Sequence, residues 1–133
     1  MNSFKFKSAL LIDDNQIDNL INKKILENNL FAEKIVVAGS AEVALNYLKN
    51  ESPENTPDVI FLDIRMPEID GFQFLDEFAK LDSTATNHPK IFMLSSSLDP
   101  KDQTKVRESK YVDKFLGKPL SNQHLLELDQ RID

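Results

Sequence analysis

The chain has 133 residues, a formal net charge of −6 and no cysteine. Its length suits one domain, residues 1–133, with a buried core, and the absence of cysteine excludes a disulfide framework, a thiol nucleophile and a thiolate zinc site. The negative charge argues against nucleic acid or an anionic lipid surface as a direct partner, because phosphate binding needs clustered Lys and Arg. No apolar run approaches the length of a membrane span, so we expect a cytoplasmic protein without a membrane partner.

Short apolar runs that suit buried strands recur along the chain. The central run, residues 59–62, is bounded by acidic residues, and the Met66-Pro67 and Asp70-Gly71 pairs that follow it favour a loop and a new helix. The other predicted strands occupy residues 6–12, 35–38, 91–94 and 115–116. Loops rich in turn residues are predicted at residues 50–57 and 82–89.

A helical pattern follows each of these runs. Helix caps are predicted at Asp14 or Asn15, at Ser40, at Asp99 before Pro100, and at Ser121. The apolar positions that predict the helices are Ile17, Leu20, Ile21 and Ile25, then Ala41, Ala44, Leu45 and Leu48, then Phe74, Leu75, Phe78 and Leu81, then Val106, and finally Leu125, Leu128 and Ile132. This alternation predicts βα units with right-handed crossovers, and hence an α/β fold with a parallel sheet.

Polar side chains stand where four of the predicted strands end. They are Asp13 and Asp14, Asp63, Ser95 and Lys118. The carboxyl ends of parallel strands emerge at one edge of the sheet, where open α/β sheets bind their ligands, so these distant residues can converge there. Three carboxylates repel one another unless a cation joins them, and oxygen ligands without His or Cys suit Mg²⁺. With an ammonium and a hydroxyl beside them, they fit a phosphoryl group held against the metal.

Each of these residues also has an ordinary structural interpretation. Asp13 and Asp14 could cap the first helix, Ser95 could be a strand-end hydroxyl, and Lys118 could be a solvated loop residue. Taken singly, these plain roles are the better interpretation. The joint placement of all five residues at strand ends favours the functional one.

In these residues and their order, the sequence resembles the receiver domain of two-component response regulators. The motifs are Leu11-Ile12-Asp13-Asp14, Leu62-Asp63-Ile64-Arg65-Met66-Pro67-Glu68-Ile69-Asp70-Gly71, Met93-Leu94-Ser95-Ser96 and Phe115-Leu116-Gly117-Lys118-Pro119. The resemblance spans residues 9–119, which is nearly the whole chain. It implies a flavodoxin-like receiver fold, a doubly wound five-stranded parallel sheet in the order 2-1-3-4-5 with five helices, three on one face and two on the other.

The resemblance also implies how the phosphoryl group is handled. Asp63 would accept it as a covalent nucleophile, and Lys118 and Ser95 would each bind a phosphoryl oxygen. Phe115 matches the aromatic switch position, which turns inward when the Ser95 hydroxyl moves toward the phosphoryl group. Plain burial in the core explains Phe115 equally well, because an apolar ring needs no function to be buried.

The implied metal is Mg²⁺, with Asp63 and Asp14 as ligands, Asp13 assisting through water, and the backbone carbonyl of Arg65 added. A sensor histidine kinase or a phosphotransfer protein would supply the phosphoryl group. An unidentified downstream protein would then read a surface on the fourth helix, fifth strand and fifth helix. We therefore expect a stand-alone signalling phosphoacceptor and not an enzyme acting on other substrates.

Two alternatives come from other functional classes. A Mg²⁺-dependent phosphohydrolase could use Asp63 as its nucleophile, but haloacid-dehalogenase-like phosphatases place a second Asp two residues later, where this chain has Arg65. A flavodoxin-like binding module would need a phosphate loop rich in Ser, Thr or Gly after the first strand. Residues 13–16, Asp-Asp-Asn-Gln, stand there instead.

Overall fold

A computed structural model describes residues 4–50, 56–81, 89–96 and 99–129. Strands and helices alternate throughout these ranges. The strands are β1 (Phe6–Ile12), β2 (Ala32–Ala38), β3 (Val59–Asp63), β4 (Lys90–Ser95) and β5 (Val112–Gly117). The helices are α1 (Gln16–Asn28), α2 (Ala41–Asn50), α3 (Gly71–Phe78), α4 (Pro100–Glu108) and α5 (Asn122–Asp129). Ile132 and most of the two predicted loops lie outside the described residues, and Asn50 ends α2.

The five strands form one parallel sheet in the order β2-β1-β3-β4-β5, which confirms the predicted topology. All five residues of β3 are buried, as expected for a central strand covered on both faces. Asp63, the last residue of β3, pairs in register with Leu94, and Ser95 pairs with Gly117. The carboxyl ends of β3, β4 and β5 therefore finish almost level.

Two apolar clusters cover the two faces of the sheet. On one face the cluster receives buried side chains from α2, α3 and α4, such as Leu48, Phe74 and Val106. On the other face it receives Leu26 from α1 and Leu125 from α5. This is the predicted division of three helices and two. None of the helices in the described ranges is long and apolar enough to cross a membrane.

The two edge strands are longer than the sequence predicts. β2 begins at Ala32 and β5 at Val112, three residues before each predicted start. Both extra segments carry exposed charged side chains, Glu33 and Lys34 in β2 and Asp113 in β5. Edge strands commonly carry such charges, which discourage pairing with another chain. An apolar run therefore marks only part of an edge strand.

The predicted helix caps are confirmed, and Asn15 rather than Asp14 caps α1. The Asn15 side chain accepts hydrogen bonds from the backbone N–H groups of Ile17 and Asp18. Ser40, Asp99 and Ser121 accept in the same way at the starts of α2, α4 and α5. Each cap satisfies an N–H group that has no partner inside its helix. Asp14 thus remains available to the site at the sheet edge.

Of the apolar stripe that predicts α1, only Ile25 packs against the core, and the other three residues are exposed. Ile17 is 69% exposed, Leu20 is 63% exposed and Ile21 is 42% exposed. The residues that α1 buries are Asn19, Asn22 and Leu26. The helix was predicted correctly, but it packs a largely polar face inward and presents an apolar face to solvent.

Gly71 allows α3 to start directly against the end of β3. Its N–H donates to the Ile64 carbonyl over 2.9 Å. A Cβ at this position would lie 2.8 Å from the Asp63 carbonyl oxygen and 2.8 Å from Met93 Cε. Real Cβ atoms do not approach backbone so closely, so any side chain here would push α3 away from Asp63.

We therefore expect Gly71→Ala to lower the free energy of unfolding by roughly 1 to 3 kcal/mol through overpacking. Urea denaturation measures the change. Gly39→Ala is the matched control, because a Cβ at Gly39 would meet nothing within 4 Å. Equal stability of the two variants would show that α3 has room to shift without cost.

Candidate functional site

Three carboxylates from two neighbouring strands meet at the carboxyl edge of the sheet. Asp13 and Asp14 follow β1, and Asp63 ends β3. One oxygen from each carboxylate lies within 4.8 Å of the others. Asp13 and Asp63 are buried and Asp14 is exposed. The convergence predicted from the strand ends is therefore present, with one carboxylate facing solvent.

Lys118 brings a positive charge into this cluster from the loop after β5. Its Nζ lies 2.7 Å from Asp13 Oδ2 and 3.1 Å from Asp63 Oδ1. The backbone N–H of Lys118 donates to the Ser95 carbonyl over 2.8 Å, which fixes the loop to the end of β4. The Lys118–Pro119 peptide bond is cis. Lys118 thus joins the carboxylates instead of lying in solvent.

Both oxygens of Asp13 already have hydrogen-bond donors. Oδ1 accepts from the backbone N–H of Asn15 over 2.9 Å, and Oδ2 accepts from Lys118. The Asp13 carbonyl accepts from the side-chain amide of Asn19 over 2.8 Å. Three hydrogen bonds, two to the carboxylate and one to the backbone carbonyl, therefore fix the position of Asp13.

Three residues of α1 belong to the site although they lie outside the motifs that predict it. Asp18 Oδ2 accepts from Lys118 Nζ over 2.9 Å. The Asn19 side-chain amide donates to the Asp13 carbonyl, and Asn22 Oδ1 accepts from the backbone N–H of Leu120 over 3.2 Å. These polar residues recur at helical spacing, which is the signal that could have identified them. The buried polar face of α1 therefore serves the loops that carry Asp13 and Lys118.

Burial and charge alter the protonation of the two central groups. Burial, with the Asp13 and Asp14 carboxylates, raises the pKa of Asp63 to about 6, although Lys118 opposes the shift. Burial alone would lower the pKa of Lys118, but hydrogen bonds to Asp13 and Asp18 raise it above its ordinary value. At neutral pH the lysine is therefore a fixed cation, and Asp63 is ionised at a cost.

Ser95 and Phe115, the predicted switch pair, lie on adjacent strands. Ser95 ends β4 and is buried. Phe115 is half-buried on β5, opposite Met93 in the register, and packs against the cluster beneath α4. It also lines a groove of about 470 Å³ between α4 and β5, together with Val106. A partly open space therefore borders the Phe115 ring.

Arg65 connects the loop after Asp63 to α4. Its guanidinium forms an ion pair with Asp102, which is 5% exposed and lies in the first turn of α4. A buried carboxylate is costly without such a partner. The sequence pattern predicts a role only for the backbone carbonyl of Arg65 and gives no sign of Asp102. The side chain joins the site loop to a helix 37 positions away.

The raised pKa of Asp63 gives a pH dependence that can be measured without metal. Because the pKa of Asp63 is higher in the folded chain than in the unfolded chain, the folded chain keeps the Asp63 proton to a higher pH. The free energy of unfolding therefore falls as pH rises from about 4 to 6. Asp63→Asn removes this loss and should exceed wild type in unfolding free energy by on the order of 3 kcal/mol at pH 7. The two should converge near pH 4. Urea denaturation in a chelator tests this, and a constant gap across the pH range would contradict it.

The comparisons with known proteins agree with this arrangement. The protein-family model of the response regulator receiver domain matches residues 9–129 of this chain. A two-component response regulator from Cytophaga hutchinsonii is 35% identical in sequence, with a TM-score of 0.88 over 96% of each chain. A response regulator receiver protein from Dyadobacter fermentans is 27% identical, with a TM-score of 0.86 over 98% of each chain.

A longer relative contains the same domain. Protein-glutamate methylesterase/protein-glutamine glutaminase 3 of Burkholderia thailandensis is 32% identical over 113 residues, which is 84% of this chain. The chain spans only 29% of the length of that relative, so the likeness concerns one part of it. Fold, sheet-edge residues and family match all agree, and the chain belongs to the response regulator receiver family.

Proposed function

We propose that this chain accepts a phosphoryl group on Asp63 from a histidine kinase or a phosphotransfer protein, with Mg²⁺. The observation that carries the proposal is the meeting of three carboxylates around the Lys118 ammonium at the sheet edge. Receiver domains take phosphoryl groups from histidine kinases, which supports the same class of donor here. Family membership favours this chemistry over the phosphohydrolase and the flavodoxin-like module considered above.

The transfer places its chemistry on the Asp63 carboxylate. One oxygen attacks the phosphorus of a phosphohistidine, an O–P bond forms and the P–N bond breaks, with its electron pair left on the imidazole nitrogen. Lys118 already forms an ion pair with Asp63 and can turn an N–H toward a phosphoryl oxygen. Ser95, at the end of the neighbouring strand, supplies a hydroxyl for a second oxygen.

The carboxylates fit Mg²⁺, a hard cation that binds few protein oxygens and keeps several waters. When bound, Mg²⁺ neutralises charge on the phosphoryl oxygens. Asp14 is the exposed carboxylate and best placed to replace a metal-bound water. Asp13 has donors on both oxygens, which supports contact through water. The carbonyl of Arg65 is the proposed backbone ligand.

Asp63→Asn removes the nucleophilic oxygen, so we expect that variant to gain no phosphate from a small phosphodonor with Mg²⁺. Asp14→Ala should react at least about 100-fold more slowly than wild type because charge stabilisation at the phosphoryl group is lost. Intact-mass spectrometry follows both reactions. Asp76→Asn, an exposed charge change on α3, is the matched control. Phosphate gained by Asp63→Asn at the wild-type rate would assign the acceptor to another residue.

The output is proposed to pass through α4, β5 and α5. α4 buries only Asp102 and Val106, so it is held by few contacts and can shift at low cost. The Arg65–Asp102 ion pair links it to the loop that follows Asp63. Movement of the Ser95 hydroxyl toward a phosphoryl group would leave room for Phe115 to turn inward, and a downstream protein would read the altered surface.

The phosphodonor protein is proposed to cover the apolar face of α1. Its histidine must reach Asp63, so the donor has to stand at the carboxyl edge of the sheet. Asp18 and Ile21 line a cavity of about 230 Å³ together with Lys118 at this edge. The exposed side chains of Ile17 and Leu20 continue this surface along the helix. An apolar face that borders the site entrance suits a protein that must dock there.

Leu20→Asp tests this docking surface. A charge at the centre of a buried apolar contact should slow phosphotransfer from a donor protein by roughly 10-fold or more, because burying it is unfavourable. The rate with a small phosphodonor should stay unchanged. The donor is a histidine kinase or phosphotransfer protein selected because it phosphorylates wild type. Val43→Asp on α2, where Val43 is 54% exposed, is the control. Equal rates for the two variants would rule out α1 as the docking face.

A further inference from the structure

Lys118 has a third carboxylate partner that lies outside the receiver motifs. Asp18, in the first turn of α1, accepts from Lys118 Nζ over 2.9 Å. This distance lies between the 2.7 Å contact to Asp13 and the 3.1 Å contact to Asp63. The Lys118 side chain is 10% exposed and that of Asp18 is 35% exposed. Asp18 therefore reaches a buried ammonium from the solvent side of the site.

The three carboxylates use the whole hydrogen-bonding capacity of the lysine. An ammonium carries three N–H groups and no acceptor. Asp13 and Asp18 each accept one of them, which leaves one for Asp63, whose Oδ1 forms an ion pair with Nζ at 3.1 Å. A phosphoryl group on Asp63 would inherit only the N–H that Asp63 gives up, while the other two stay with Asp13 and Asp18.

We propose that Asp18 is a positioning residue that restrains Lys118 and weakens its hold on the phosphoryl group. The inference rests on the proposed phosphorylation of Asp63. Asp18 competes with the phosphoryl oxygens for the ammonium, so the affinity of the site for a phosphoryl group is lower than Lys118 alone would give. A residue on the solvent side of the site thereby adjusts the phosphorylated state without touching the acceptor.

The charges of the site give the direction of the effect. Three carboxylates, Asp13, Asp18 and Asp63, contact one lysine, Asp14 lies beside Asp13 and Asp63, and phosphorylation adds further negative charge. Removing the charge of Asp18 lowers the repulsion and releases one N–H for the phosphoryl oxygens. Because Asp18 is partly exposed, solvent screens its charge and the effect is moderate, about 3- to 10-fold in affinity.

Beryllofluoride, which mimics a phosphoryl group on an aspartate, provides the test. Its affinity for each variant is measured by calorimetric titration at a fixed Mg²⁺ concentration, and each melting temperature is recorded. Asp18→Asn should bind beryllofluoride about 3- to 10-fold more tightly than wild type. Asp18→Glu, which keeps the charge, should bind it with an affinity within about twofold of that of wild type. Glu27→Gln removes the same charge at the far end of α1 and should leave the affinity unchanged.

The outcomes separate this inference from the proposed function. If wild type fails to bind beryllofluoride, or if Asp63→Asn binds it equally well, phosphorylation at Asp63 is the claim that fails. If wild type binds in an Asp63-dependent way, but Asp18→Asn binds equally or more weakly, only the role of Asp18 is overturned. The same gain in Glu27→Gln would also overturn it, because a general change in net charge would then explain the effect. A purely structural role of Asp18 would change the melting temperature without tightening the binding.

Discussion

The site depends on one lysine that reaches across the sheet. Asp13 and Asp63 are almost fully buried, and together without a cation they would cost several kcal/mol. In the order β2-β1-β3-β4-β5, Lys118 follows β5 and must pass the end of β4 to reach carboxylates at the ends of β3 and β1. A compact charge on a flexible four-carbon stem can span this distance. The loop is fixed where its backbone N–H donates to Ser95, so the charge arrives at a defined place.

The first helix combines two tasks that a simple amphipathic helix does not. Its inner face holds the site through Asn19, which fixes the Asp13 carbonyl, and Asn22, which fixes the loop after Lys118. Its outer face carries the apolar side chains at positions 17, 20 and 21. The polar groups of the site need hydrogen-bonding partners from the element that covers them, so the apolar residues are left for the outside.

The sequence allowed much of this to be predicted, and the failures have physical causes. The strand ends at Asp13, Asp63 and Ser95 were predictable because an apolar run stops at a polar residue where a buried strand leaves the core. The full lengths of β2 and β5 were not, because edge strands keep charged residues. The buried face of α1 was not predictable, because periodicity identifies an apolar face without showing whether that face packs on the core or meets solvent. The partnerships of Asp18 with Lys118 and of Asp102 with Arg65 join residues 100 and 37 positions apart, and only the folded topology brings them together.

The contacts of α4 differ in kind from those of the other helices. Besides Val106, it is attached by the Arg65–Asp102 ion pair and by Lys105, whose Nζ lies 4.3 Å from the centre of the Phe72 ring. Arg65 is 59% exposed, so dissolved ions reach its side of the pair. Salt weakens charge contacts open to solvent, whereas it leaves apolar burial intact or strengthens it. The packing of α4 against the sheet should therefore weaken as ionic strength rises, while α2 and α3 stay in place. Salt concentration would then be a second influence, besides phosphorylation, on the proposed output surface.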